Sequence, residues 1–397
     1  MNKKTILVWF RNDLRICDNE MLSTAYERAD VIVPVFVYDP RKYLISEQGL
    51  RKTGVTRAQF INESVADLQK NIRSYNGDLH IEVGLPEVVL PELAARYQVD
   101  EVYHHREVAF EETHISSLVE EALWKLKLNL RHFIGHTLYH KEDLPFPIKD
   151  IPDEFNVFKN KVARESSIRP CIPTPTDLSF VESVDQNKIP GLEELGFDEY
   201  ELSSLAKNSS IRGGESEAQK RLKLLIGGET KTSGGSGLSP WIALGCLSVH
   251  TLYYSITQSN FPRNVLNRLL DELWWHDYYR FMFKKHGNRF FDLKGFSDAA
   301  PEYAGTAVEF EKWKAGQTEN AKVNEAMKTL NATGYINPQL RSEVASYLVN
   351  DLDVNWLLGA AYFEEKLIDY SPATNYGSWA HIAGVGSSGK HNIKRAV

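Results

Sequence analysis

Five short apolar runs, separated by stretches of helical period, fill the first third of the chain and leave few folds open. They are Thr5–Phe10, Val31–Asp39, Leu79–Gly84, Asp100–His105 and Leu130–Gly135, rich in β-branched and aromatic residues and bounded by charge or glycine. Their hydrophobicity is nearly continuous rather than alternating, as expected of strands covered on both faces. Between the second and third runs, Phe60, Ile61, Val65, Leu68 and Ile72 recur at helical spacing. PEVVLPELAARYQ and THISSLVEEALWKL show the same period further on. Strands alternating with helices predict an α/β unit, a doubly wound parallel sheet of Rossmann-like form, over residues 1–139.

The pattern then changes twice. Residues 140–210 carry proline-rich stretches without sustained period, such as EDLPFPIKDIPDEF and SIRPCIPTPTDLSF, and read as a connector. Residues 211–397 read as an all-helical domain, strongest in RNVLNRLLDELWWHDYYRFMFKK. The composition is that of an ordinary globular chain, 42% hydrophobic and 25% charged over 397 residues. There is no long uncharged apolar run, so no membrane helix is expected. The basic start MNKKTILVWFRNDLR is interrupted by charge too soon for a secretory signal, and the cytoplasm is the expected compartment. Three scattered cysteines, Cys17, Cys171 and Cys246, suggest neither a disulfide framework nor a metal site, and are too few to hold an iron–sulfur cluster. A net charge of −7 argues against a wholly nucleic-acid-binding surface while leaving room for a local basic groove.

Several stretches could carry chemistry. TSGGSGLSPWIALG sets hydroxyls and glycines before an apolar helix, where backbone N–H groups with Ser236 and Ser239 could hold an anion. Ser239 as an N-cap followed by Pro240 explains the same residues without a ligand. Glu272 and Trp275 lie three apart on one helix face, giving either a sheltered carboxyl beside an indole or a core Trp with a solvated Glu. Arg280, Lys284, Lys285 and Arg289 form either a phosphate track or a solvated face. Arg341 and Asp369 are candidates for a buried ion pair, and LIDYSPATNYGSWAHIAGVG, glycine-rich with polar aromatics, reads as a lining. Glu107, at a strand end, reads as a surface or capping residue.

LVWFRNDLRICDNEML, LSPWIALGCLS, DELWWHDYYRF, TGYINPQLRSEVASYL and LIDYSPATNYGSWAHIAGVG, in that order, resemble the photolyase/cryptochrome flavoproteins over nearly the whole chain. The phrasing is nearest to the DASH cryptochromes, in a shortened form. The resemblance implies an antenna-type α/β domain, a helical domain holding FAD, and no metal. It places Ser236, Leu238 and Ser239 at the flavin phosphates, His276 at a flavin or phosphate contact, and Arg341, Asp369 and Ser371 around the ring. Asn375 would face flavin N5, where a neutral amide cannot hand over a proton as a carboxylic acid could. Trp379, Trp356 and then Tyr303 would relay electrons to the flavin, and Glu107 would meet a folate-type antenna.

The implied activity is blue-light-driven splitting of cyclobutane pyrimidine dimers in DNA, single-stranded DNA included, with Glu272, Trp275 and Asn375 at the lesion. The implied assembly is a monomer. The chain departs from the family pattern at Tyr303, where a third Trp is usual, and at His276, Pro338-Gln339, Ser371 and His381. Of these, Pro338-Gln339 and His381 motivate the alternative, a blue-light photoreceptor without repair activity.

Overall fold

The computed structural model describes residues 3–181, 188–205, 211–230 and 235–387. Thr232, Ser233 and Gly234 of the hydroxyl- and glycine-rich stretch lie outside the described residues, as do 206–210 at the end of the connector and the terminal GKHNIKRAV. The first third forms one parallel sheet of β1 (Thr5–Phe10), β2 (Val31–Tyr38), β3 (His80–Val83), β4 (Glu101–His105) and β5 (Leu130–Phe133). The strand order is β3-β2-β1-β4-β5, with Ile6 of β1 opposite Ile32 of β2 and Glu101 of β4. Parallel neighbours need crossovers. They are supplied by α1 (Glu20–Arg28), α2 (Val55–Arg73), α3 (Pro86–Arg96) and α4 (Phe110–Trp124).

All six residues of β1 are buried, which is why its sequence does not alternate. Leu7 and Trp9 face α3 and α4 through Leu90, Leu93, Ile115 and Val119. Ile6, Val8 and Phe10 point the other way, into a core shared with α1, α2 and the helical half of the molecule. The sheet is therefore doubly wound, as the alternation predicts.

The stretch read as connector contains two helices, α5 (Phe155–Glu165) and the short α6 (Glu199–Ser203). α5 buries only Phe158 and Val162, too narrow a stripe to stand out in the sequence. Beyond it come α7 (Glu215–Ile226), α8 (Ser239–Ala243), α9 (Val249–Thr257), α10 (Arg263–His286), α11 (Ala307–Ala315), α12 (Ala321–Thr333), α13 (Pro338–Ser346), α14 (Trp356–Lys366) and α15 (Pro372–Ile382). α15 is a helix where the sequence showed no helical period. Ala373, Asn375, Tyr376, Gly377, Trp379 and Ala380 are all buried, so it has no broad solvent face to set a period against.

The halves meet at the carboxyl end of β1. Gly245, just after α8, sits at φ +62° where a Cβ would collide with the backbone of Asn12 and Asp13. Leu14 N donates to Leu244 O at 3.1 Å and an Arg15 guanidinium N–H to Gly245 O at 2.9 Å. These bonds fix α8, and with it Ser239, against the sheet.

Candidate functional site

Ser239 opens α8, but its hydroxyl does not cap that helix. It donates instead to Asp369 Oδ2 at 2.6 Å, so the N-cap explanation gives way to a tertiary contact. The same oxygen takes an N–H of Arg341 at 2.7 Å, and Arg341 Nε reaches Ile336 O at 2.8 Å. Three segments far apart in sequence thus converge on one carboxylate. The second oxygen, Asp369 Oδ1, is buried with no hydrogen-bond partner, and so is Ser371 Oγ. Buried polar atoms without partners are costly, and two within three residues of the chain point to a group that completes them.

Glu272 on α10 lies across the glycine-rich approach to α8. Its carboxylate accepts the Ser236 backbone N–H at 3.0 and 3.2 Å, and Ser236 Oγ accepts Leu238 N–H at 3.2 Å. Gly235, at φ +105°, is needed there because a Cβ would run into the Glu272 carboxylate. Burial pushes the Glu272 carboxyl above its ordinary 4.5, against the pull of its Ser236 hydrogen bonds. Tyr335, which sequence reading passed over, feels the charges of Asp369, Arg341 and Glu272 and meets the Ser239 hydroxyl, so it belongs to this group. The Arg341 guanidinium lies 5.3 Å from its ring centroid. Only a GY dipeptide before α13 hinted at it.

Trp275 is one turn on from Glu272 and is enclosed by aromatics. Phe155 of α5 stacks on it at 3.6 Å and 8°, Tyr279 stacks at 5.3 Å, and His381 meets it edge-on at 6.4 Å. Phe155 was invisible as a site residue because it lies in the connector. His276 is half-buried with Nδ1 3.4 Å from Asp277, while Pro338 and Gln339 are exposed on the first turn of α13.

Asn375 is buried, and its amide nitrogen, as assigned, donates to Ala360 O at 2.9 Å, leaving the carbonyl oxygen as an acceptor. One turn on, Trp379 packs on α14 at Gly359, where a Cβ would overlap its ring. Trp356 lies three residues before Gly359 on the same helix face, fully buried, with its indole N–H bonded to Leu293 O at 3.1 Å. Tyr303 is near the Trp356 backbone; burial pushes its phenol up to about 12, and its hydroxyl has no hydrogen-bond partner.

Glu107 is neither a surface residue nor a cap. It is 3% exposed, accepts Asn12 Nδ2 at 2.8 Å and pairs with Arg280 at 2.9 Å, joining the sheet's carboxyl edge to α10. Burial alone would raise its carboxyl, yet neighbouring positive charge holds it well below the usual range. Arg280 and Arg11 are the cations that matter near neutral pH, since burial pushes His136 down to about 3. Arg280 is therefore inside, Lys285 pairs with Asp153, and Arg280, Lys284, Lys285 and Arg289 form no continuous track.

A Rossmann-like sheet docked on a helical unit thus brings a buried carboxylate, an arginine and a hydroxyl together at Asp369, a polar cluster suited to holding a ligand. Residues 6–177 match the family described as DNA photolyase, and residues 269–395 match the FAD binding domain of DNA photolyase. The chain is 37% identical to a cryptochrome DASH of Gloeobacter violaceus over 98% of its own length and 81% of that protein. It superposes on the crystal structure of the Synechocystis sp. cryptochrome with a TM-score of 0.90 at 34% identity, covering 97% of this chain and 83% of the other. A class III photolyase from Agrobacterium tumefaciens shares the fold, with a TM-score of 0.84 at 21% identity over 98% and 82% of the two chains. The chain belongs to the photolyase/cryptochrome family, and its helical half is the FAD-binding domain. Among the described residues no helix is long and apolar enough to cross a membrane, and no cluster of three or more His, Cys, Asp or Glu could hold a metal.

Proposed function

We propose that this protein is a light-driven lyase that splits cyclobutane pyrimidine dimers in DNA, acting as a monomer in the cytoplasm. The observation that carries the reading is Glu272, a sheltered carboxyl with its pKa pushed up by burial, placed between the Ser236 loop and Trp275. The orphaned Asp369 Oδ1 and Ser371 Oγ fit a flavin ring, held with Arg341, Ser239 and Asn375, whereas the Ser236 and Leu238 N–H groups expected at its phosphates are engaged by Glu272 and by the Ser236 hydroxyl. When bound, the flavin supplies the electron that opens the dimer. Asp369 and Arg341 orient the ring, and Asn375 presents an oxygen that accepts and cannot donate a proton. Glu272 gives a hydrogen bond to pyrimidine oxygens where negative charge develops, and Trp275 offers an aromatic face to the splayed base.

The test is illumination of reduced protein with dimer-containing oligonucleotides, single-stranded first, because an unpaired lesion costs less to extrude. Wild type should restore intact pyrimidines. Glu272→Ala, losing a hydrogen bond to a charged group of about 1.5–3 kcal/mol, should slow repair roughly ten- to a hundredfold. Repair by that variant at the wild-type rate would remove Glu272 from the mechanism.

One observation favours the second reading, a photoreceptor without repair. Phe155 already occupies the open face of Trp275 that a base would stack on. Phe155→Ala should then raise affinity for dimer-containing single strands by about tenfold, the scale of one base–aromatic stack, in a binding titration. Undetectable repair by both wild type and this variant, with flavin photoreduction intact, would make the photoreceptor the better reading. Glu107 remains the proposed contact of a folate-type antenna, to be judged from the absorption of the purified protein.

A further inference from the structure

The electron relay is left without a workable end at Tyr303. A phenol is oxidised readily only if its proton can leave at the same time. The Tyr303 hydroxyl is buried against the Trp356 backbone and makes no hydrogen bond to a base, the nearby Asp353 carboxylate included. Another tyrosine meets both requirements. The Tyr376 ring lies 6.5 Å from Trp356, edge to face, and its hydroxyl donates to Glu364 Oε2 at 3.0 Å. Tyr376 precedes Trp379 by one helical turn on α15, and Glu364 stands two turns beyond Trp356 on α14. Both members of the pair are thus held on the two helices that carry the tryptophans.

We infer that Tyr376, with Glu364 as its proton acceptor, is the tyrosine that refills the tryptophan relay in this protein. The step moves one electron from Tyr376 to the Trp356 radical cation and one proton from the phenol to the Glu364 carboxylate. Its products are neutral Trp356, a neutral tyrosyl radical and a protonated Glu364. A small external thiolate then gives one electron to the tyrosyl radical and leaves as a thiyl radical, while Glu364 returns the proton to the phenol. Burial raises the Glu364 carboxyl, which strengthens it as a base, while the nearby Arg57 charge opposes that rise and favours the resting carboxylate.

The competing exit from Trp379 is poor. Trp313 touches Trp379 at 6.2 Å, but it leads to Tyr362, whose ring carries Lys314 and Lys366 ammonium groups at 5.9 and 5.5 Å. Positive charge over a ring opposes the loss of an electron from it.

This inference rests on the Trp379–Trp356 relay that the family resemblance implies, and flash spectroscopy of the flavin-loaded protein separates the two. Wild type should show a tryptophan radical that decays into the sharp near-ultraviolet band of a tyrosyl radical, with a slower step in deuterated water. The electron paramagnetic resonance lines of that radical should narrow in protein grown on ring-deuterated tyrosine. Tyr376→Phe, which keeps the ring and its packing, should abolish the tyrosyl signal and lengthen the tryptophan radical. Glu364→Gln, which still accepts the hydrogen bond, should slow tyrosyl formation by at least about tenfold. Tyr303→Phe should leave the signal in place. A tryptophan radical with no tyrosyl successor, or a tyrosyl signal lost in Tyr303→Phe and kept in Tyr376→Phe, would overturn the inference alone. Absence of any tryptophan radical in wild type would overturn the relay and this step together.

Discussion

At the scale of single residues, burial decides what each carboxylate does. Asp369 is anchored by Arg341 and Ser239, while Glu272 is held by backbone N–H bonds and pushed up by burial. The two therefore suit different tasks, one a fixed negative charge and the other a sheltered hydrogen-bonding group. The raised pKa of Glu272 means that the folded state holds its proton more tightly than the unfolded chain. Its contribution favours folding below the ordinary value of 4.5 and is lost as pH rises through the higher folded value. Glu272→Gln should therefore unfold at equal or higher denaturant concentration than wild type at pH 8. Its advantage should shrink as pH falls toward 4.5, as chemical denaturation at each pH would show. A clear loss of stability at pH 8 would mean that the Ser236 hydrogen bonds outweigh the burial of the charge. The sequence offered this contrast only as one of two readings: an acid one turn from an indole is either sheltered or solvated, and only packing decides which.

At the scale of elements, helix pairs set the spacing of the functional side chains. α14 and α15 touch through Gly359, which lets the Trp379 ring lie directly on the α14 backbone one turn from Trp356. Gly359→Ala should gain intrinsic helix propensity of about 1 kcal/mol and lose more to overpacking, about 1–3 kcal/mol. The expected net result is a lower midpoint of unfolding together with slower flavin photoreduction, both measurable on one preparation. A variant with unchanged photoreduction would separate this contact from the relay. Sequence reading located the long helix α10 and the strand β1 because each is specified by its own residues. It missed α15 as a helix because that segment is buried on nearly every side, and α5 because its buried stripe is only two residues wide. Phe155, Tyr335 and the Tyr376–Glu364 pair escaped for a different reason. Each matters through a partner on another element, and no spacing rule links the two.

At the scale of the whole molecule, the sheet and the helical half are tied together at the carboxyl ends of β1 and β4, where the strand order reverses. Glu107 and Arg280 form the charged part of that joint, and Gly245 against Asn12 the steric part. Glu107→Ala leaves the Arg280 guanidinium buried without its carboxylate, which should cost about 3–5 kcal/mol in denaturant unfolding. Because the Glu107 carboxyl is held well below 4.5, this joint stabilises the fold above that pH and weakens as pH falls further. Loss of less than about 1 kcal/mol would show that the halves are joined mainly by apolar contact. The sequence by itself determined the α/β-then-helical layout, because strand and helix periods are local properties of the chain. Its ordered motifs also determined the family and the flavin. Only the tertiary structure decided that Ser239 bonds Asp369 rather than capping its helix, that Glu107 is an interior joint, and that Tyr376 rather than Tyr303 has a base. Those are choices among partners, and the partner a polar group takes is fixed by which segments packing brings within about 3 Å of it.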